Sequence, residues 1–191
     1  MTLTQLIRNI DATLSRITAS HLSRYDTLQQ SLETVDVSVD PGYQRMFNGY
    51  YRMQRRRQDW YEFFFSILQS EKNNKAITFR EVFERVYGER RRVEPSFCSK
   101  LVATIRADMP VYDRHVRENL LLVIPRPQER PEKRVEQFLL VYADLQAKQS
   151  HLVGAERFPT LRRAFDERFP AYAHFTDTKK LDLLLWQHRE A

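Results

Sequence analysis

One cysteine, four glycines and no apolar run approaching the ~20 residues needed to span a membrane set the first limits on this 191-residue chain. The lone Cys98 excludes an internal disulfide and leaves no cysteine cluster for an iron–sulfur centre or a zinc ribbon. It reads as a small core residue rather than a nucleophile, because no nearby feature marks a base for it. Four glycines are too few for many tight hairpins, which argues against an all-β fold. They form neither a phosphate-binding loop nor a dinucleotide fingerprint, and no Gly-x-Ser-x-Gly elbow occurs. The histidines, His21, His115, His151, His174 and His188, are scattered without metal-ligand spacing. No metal and no cofactor are therefore expected. The opening stretch MTLTQLIRNIDATL lacks the pattern of a signal peptide, so the expectation is a cytoplasmic protein with no membrane partner.

What is present points to helices. Hydrophobic residues make up 42% and aromatics 12%, a globular composition in a chain long enough for a real core. The net charge is +6, and the segment from Tyr43 to Lys100 alone carries 13 basic against 7 acidic residues, again +6. The excess basicity thus belongs to one segment, as a polyanion-binding face would need, although a solvated helix surface can show the same imbalance.

Leu3, Leu6, Ile7, Ile10, Leu14 and Ile17 form one apolar stripe, continued by Leu22, Tyr25, Leu28 and Leu32. The first 33 residues read as one long or two shorter helices. VDVSVDPGY interrupts them as an extended connector or an isolated strand, with Pro41-Gly42 as a turn. Met46, Met53, Trp60 and Ile67 then fall seven apart along one helical face, and Arg52, Arg55, Arg56 and Gln58 lie off it. Arg57 lies near the stripe and would need a carboxylate or a phosphate. Thr78 and Glu81 form a capping box, with Gly88 as the expected C-terminal cap and Arg90, Arg91 and Arg92 just beyond. A helix from about Ser96 to Ile105 should bury Phe97, Leu101, Val102 and Ile105. Asp108 is expected to cap the next helix, with Pro110 in its first turn. Pro125, Pro127 and Pro131 mark a link before VEQFLLVYADLQ, and FPTLRRAFDERFP and TDTKKLDLLLWQHRE complete an all-α chain of around eight helices.

The stretch PVYDRHVREN places Val111, Asp113, His115 and Val116 in an order that resembles a segment of helix-hairpin-helix DNA glycosylases, the endonuclease III and 8-oxoguanine glycosylase superfamily. There, an aspartate opens a helix in a Val-Asp-x-His-Val context; here Tyr112 is inserted between the valine and the aspartate. In that superfamily a lysine at the start of the preceding helix is the amine nucleophile of the bifunctional members, and FCSKLVATI puts Lys100 in a comparable place. The superfamily's glycine-rich hairpin turn corresponds to RRVEPSF, which has no glycine. The whole chain also resembles a group of uncharacterised bacterial proteins through Phe47 to Arg52, Phe97 to Asp113 and Lys179 to Trp186. The resemblance implies a helix-hairpin-helix glycosylase-like core over residues 41–191 with an N-terminal helical arm over 1–40, or a single domain throughout.

It further implies a catalytic pair, Lys100 and Asp113. A desolvated lysine can attack C1′ of a nucleotide, displacing the base, while an aspartate stabilises the charge developing on the sugar. DNA would be held by Arg52, Arg55, Arg56, Arg57, Arg90, Arg91 and Arg92. Against this stands a plainer reading, with Lys100 as an exposed helix residue and Asp113 as a first-turn acid stabilising its own helix. Asp182 is likewise read as a structural partner for Lys179 or for a core arginine. The alternative function is a non-enzymatic helical scaffold that docks a protein partner or a second copy through exposed aromatics near residues 46 to 65.

Overall fold

The computed structural model describes residues 2–53 and 56–189, and among these every regular element is helical, as the composition requires. The order is α1 (Leu3–Arg8), α2 (Ile10–Leu14), α3 (Ala19–Thr34), α4 (Pro41–Tyr50), α5 (Gln58–Glu71), α6 (Phe79–Arg90), α7 (Pro95–Ile105), α8 (Arg114–Asn119), α9 (Pro131–Val153), α10 (Phe158–Arg168), a 3₁₀ turn (Pro170–Tyr172) and α11 (Asp177–Gln187). No helix among the described residues is long and apolar enough to cross a membrane.

Local chemistry explains most of the starts. Thr2 with Gln5 and Thr78 with Glu81 form complete capping boxes, and Thr176 accepts a hydrogen bond from the Lys179 amide to open α11. VDVSVDPG is neither strand nor extended connector. Asp36 folds it into a turn by accepting bonds from the amide and hydroxyl of Ser38, and Asp40 caps α4 with Pro41 as its first helical residue. The first 33 residues divide into three helices.

The seven-residue register of Met46, Met53, Trp60 and Ile67 does not describe one helix. The chain stops at Tyr50 and restarts at Gln58. The Met53 amide donates to the Asn48 carbonyl at 2.9 Å, Arg52 sits in the left-handed region at φ 51°, and Met53 is buried. That is the Schellman ending, with an arginine where glycine is usual. Leu121 repeats it after α8, at φ 52° with the Leu122 amide bonded to the Arg117 carbonyl. α6 likewise runs past Gly88 and ends on Arg91 at φ 53°. Asp108 caps nothing: it pairs with Arg106 at 2.8 Å, and Asp113 is the residue that opens α8.

The core is aromatic. Phe47, Phe64, Phe65, Phe83, Phe158 and Phe165 are fully buried, each stabilising the fold by roughly 1.5–3 kcal/mol. α6 packs on α7 and α9, α11 packs on α8 and α9, and α3 packs on α4. The N-terminal helices α1 and α2 lie against α10, with α2 also touching α11. This arrangement places α7 and α11 inside the protein. From Cys98 to Ile105 every residue of α7 is buried, and from Lys179 to Leu185 every residue of α11 is buried.

Candidate functional site

Burial on all sides of α7 and α11 forces polar residues on them to be paired inside or to face a cavity. A cavity of about 510 Å³, counting its part open to solvent, is walled by α3 (His21), the end of α4 and its turn (Tyr50, Tyr51, Arg52), α7 (Lys100), the entry to α8 (Val111, Asp113, Val116) and α11 (Lys179, Asp182, Leu183, Trp186). Lys100 and Asp113 therefore share one space.

Two hydrogen bonds set this up. The Ser99 hydroxyl, next to Lys100, accepts from the Tyr112 amide at 2.9 Å, and the Asp182 carboxylate accepts from the Val111 amide at 3.0 Å. They pin the chain before α8 onto α7 and α11, and Asp113 then caps α8 by accepting from the His115 amide at 2.9 Å. Lys100 is only 8% exposed, so it is not the surface helix residue of the plainer reading. Burial pulls its amine below the ordinary lysine range, and the nearby Asp113 charge opposes that pull.

Lys179 and Asp182 form a second amine and carboxylate in the same cavity. Asp182 does not close an ion-pair contact with Lys179 or a core arginine. Its carboxylate accepts from the Val111 amide and, at 2.7 Å, from the Gln149 side chain, while Lys179 acts on it through charge alone. Burial raises the Asp182 carboxyl to about 6, and burial lowers the Lys179 amine to about 8. The Lys179 nitrogen lies 3.9 Å from the centre of the Tyr25 ring and 5.2 Å from that of Tyr50. The adjacent Lys180 is equally buried but committed, at 2.6 Å from Asp166 and 2.8 Å from the Ala173 carbonyl. Lys100 and Lys179 have no hydrogen-bond or ion-pair partner among the described residues.

The third feature is a stack. His21 lies between Tyr50 (4.5 Å, 25°) and Trp186 (5.0 Å, 12°), and the Arg52 guanidinium sits 5.0 Å from the centre of the Trp186 ring. Burial, followed by the charges of Lys179, Arg52 and Arg24, lowers the His21 imidazole to about 4, so it is neutral at pH 7.

The arginines divide by role. Arg56 pairs with Glu94 at 2.9 Å and lies 4.8 Å from the centre of the Phe97 ring. Arg90 reaches Asp59 at 3.6 Å and its carbonyl at 3.1 Å, and Arg57 reaches the same carboxylate at 3.3 Å. The expected partner of Arg57 is thus a carboxylate. Asp59 joins the two arginine clusters, and Phe97 lies 5.6 Å from the Lys100 nitrogen. Arg52, Arg57, Arg91 and Arg92 are exposed. Arg55 lies outside the described residues. Among the described residues no three His, Cys, Asp or Glu side chains gather as metal ligands.

Cys98 is buried and burial pushes its thiol well up, as suits a core residue. Lys179, Asp182, His21 and Trp186 were not singled out by sequence reasoning as cavity residues. The available signal was KKLDLLLW, where charges interrupt an apolar helix. No family model, curated protein or solved structure matches the chain.

Proposed function

We propose that the protein binds nucleic acid through its arginine-rich face and draws a nucleotide into the cavity, where Lys100 and Asp113 carry out glycosylase-like base excision. The observation that carries this reading is the meeting of Lys100 and Asp113, thirteen residues apart, in one aromatic-walled cavity with the lysine nitrogen unpartnered. The neutral amine would add to C1′ as the bond to the base breaks, with the departing base keeping the electron pair and taking up a proton. Asp113 would stabilise the positive charge developing on the sugar. A base must leave the stack to reach such a site, and the Tyr50 and Trp186 faces suit a planar ring. Arg57, Arg91 and Arg92 are placed for phosphates, while Arg56 and Arg90 also brace α5, α6 and α7.

Fluorescence anisotropy of labelled single- and double-stranded DNA over a salt series tests binding. We expect micromolar affinity whose salt slope falls by about 3 when Arg57, Arg91 and Arg92 become alanine, about one per phosphate contact. Borohydride trapping on damaged DNA, lost in Lys100→Ala, tests the chemistry. No binding at low salt would remove the reading.

The scaffold alternative no longer rests on aromatics near residues 46 to 65, since Phe47, Tyr50, Tyr51, Trp60, Phe63, Phe64 and Phe65 are buried. Its support is a run of exposed apolar side chains after α8, Leu121, Val123 and Ile124, with Leu140 on α9. DNA-independent self-association that is lost on Val123→Asp would favour it.

A further inference from the structure

We infer that Lys179, with Asp182 as its proton donor and acceptor, forms an imine with a small aldehyde that enters the cavity. This goes beyond the base-excision reading and does not need nucleic acid. Four observations carry it. The Lys179 side chain lines the cavity, is 6% exposed, and has no hydrogen-bond or ion-pair partner among the described residues. Asp182, one helical turn on, faces the same space and is held in place by Val111 and Gln149. Tyr25 and Tyr50 turn ring faces toward the nitrogen, where they would hold a protonated imine as well as an ammonium. Lys180, with the same burial, is fully engaged by Asp166 and Ala173, so a buried lysine in this helix is not unpaired by default.

The protonation states agree with the geometry. An amine at about 8 is neutral about 300 times more often at pH 7 than one at the ordinary 10.5. A carboxyl raised to about 6 keeps an appreciable protonated share at that pH. Lys100 has the less favourable setting, because the Asp113 charge opposes its deprotonation.

The step balances. The Lys179 nitrogen adds its lone pair to the carbonyl carbon, and the C=O π pair moves to oxygen, which takes the Asp182 proton. The new ammonium returns a proton to the Asp182 carboxylate, giving a neutral carbinolamine. Asp182 then protonates the hydroxyl, water leaves with the C–O electron pair, and the nitrogen lone pair forms C=N. Amine, carboxylic acid and aldehyde become iminium, carboxylate and water.

The full chain is incubated with propionaldehyde and cyanoborohydride at pH 7, without nucleic acid, and alkylated lysines are located by peptide mass mapping over time. The expected result is one fast equivalent on Lys179, at least tenfold faster than at the exposed Lys75 and Lys133. Lys179→Met should abolish the fast phase. Asp182→Asn should slow it at least tenfold, with an unchanged near-UV circular dichroism spectrum showing that the fold is intact. A Lys179→Gln variant provides the same control should the methionine variant fold poorly. Even labelling of all lysines, or a fast phase on Lys100 alone, overturns the assignment. The second result would leave the base-excision proposal standing, and failure to bind DNA would leave this one standing.

Discussion

Replacing Lys179 with methionine should make the protein more stable at neutral pH, contrary to the usual effect of changing a buried residue. Methionine fills nearly the same volume with a flexible apolar chain. Burial lowers the Lys179 amine from 10.5 to about 8, so holding it as an ammonium at pH 7 costs about 3 kcal/mol. A lysine depressed in the folded state contributes its stability above its unfolded value and loses it as pH falls through the folded value, here about 8. At pH 7 the penalty is therefore present almost in full. Against it stands attraction to the Tyr25 face, 3.9 Å away, worth about 0.5–2 kcal/mol. Asp182, which loses its neighbouring charge in the variant, is already raised to about 6 and would take up a proton. The net expectation is a gain of about 1–2 kcal/mol, or roughly 3–6 °C in Tm for a chain of this size. Thermal melts of both proteins from pH 6 to pH 10.5 measure it, and the gain should shrink toward the alkaline end as the wild-type amine becomes neutral. A variant less stable than wild type at pH 7, or a gain that does not change with pH, would refute the reasoning.

Other expectations follow from the same geometry. His21 is depressed to about 4, so its contribution is present above the ordinary 6.5 and lost as pH falls through about 4. His21→Phe keeps the stack between Tyr50 and Trp186 and should reduce acid sensitivity in that window, by on the order of 1–2 kcal/mol after discounting for partial exposure. Urea denaturation at pH 7 and pH 4 checks this; equal acid sensitivity in the two proteins would contradict the burial of His21 as a neutral ring. Leu121 holds a left-handed backbone at φ 52° with a side chain 74% exposed, so Leu121→Gly should raise stability by about 1 kcal/mol. A lower Tm would mean that the leucine side chain contributes more than its exposure suggests.

The fold class was legible because it depends on spacing and caps that act locally. Thr78 and Glu81 announce α6 from four residues, and the scarcity of glycine rules out hairpins wherever the chain goes. The ends of helices were less legible, and for one reason. Arg52, Arg91 and Leu121 occupy left-handed positions that sequence reasoning reserves for glycine, so α4 seemed to continue into α5 and α6 seemed to stop at Gly88. Each such residue pays for itself through what surrounds it: Met53 buries behind Arg52, and Leu122 behind Leu121.

The cavity was half legible, and the missing half is physically instructive. Lys100 and Asp113 could be suspected from a motif, but no periodicity could tell whether Lys100 is buried. A helix exposed on one side announces which side that is, whereas α7 and α11 are surrounded and place polar and apolar residues alike inside. In KKLDLLLW the charges look like an exposed i, i+3 pair, yet one lysine is ion-paired deep in the fold and the other faces the cavity beside an aspartate held by Gln149 and a backbone amide. Leaving an ammonium unpaired in a protein interior costs stability that folding alone gives no reason to forgo. That cost, set beside the committed Lys180 on the same helix turn, is the strongest argument that Lys179 is kept for its chemistry, and the pH dependence of the Lys179→Met melt measures it directly.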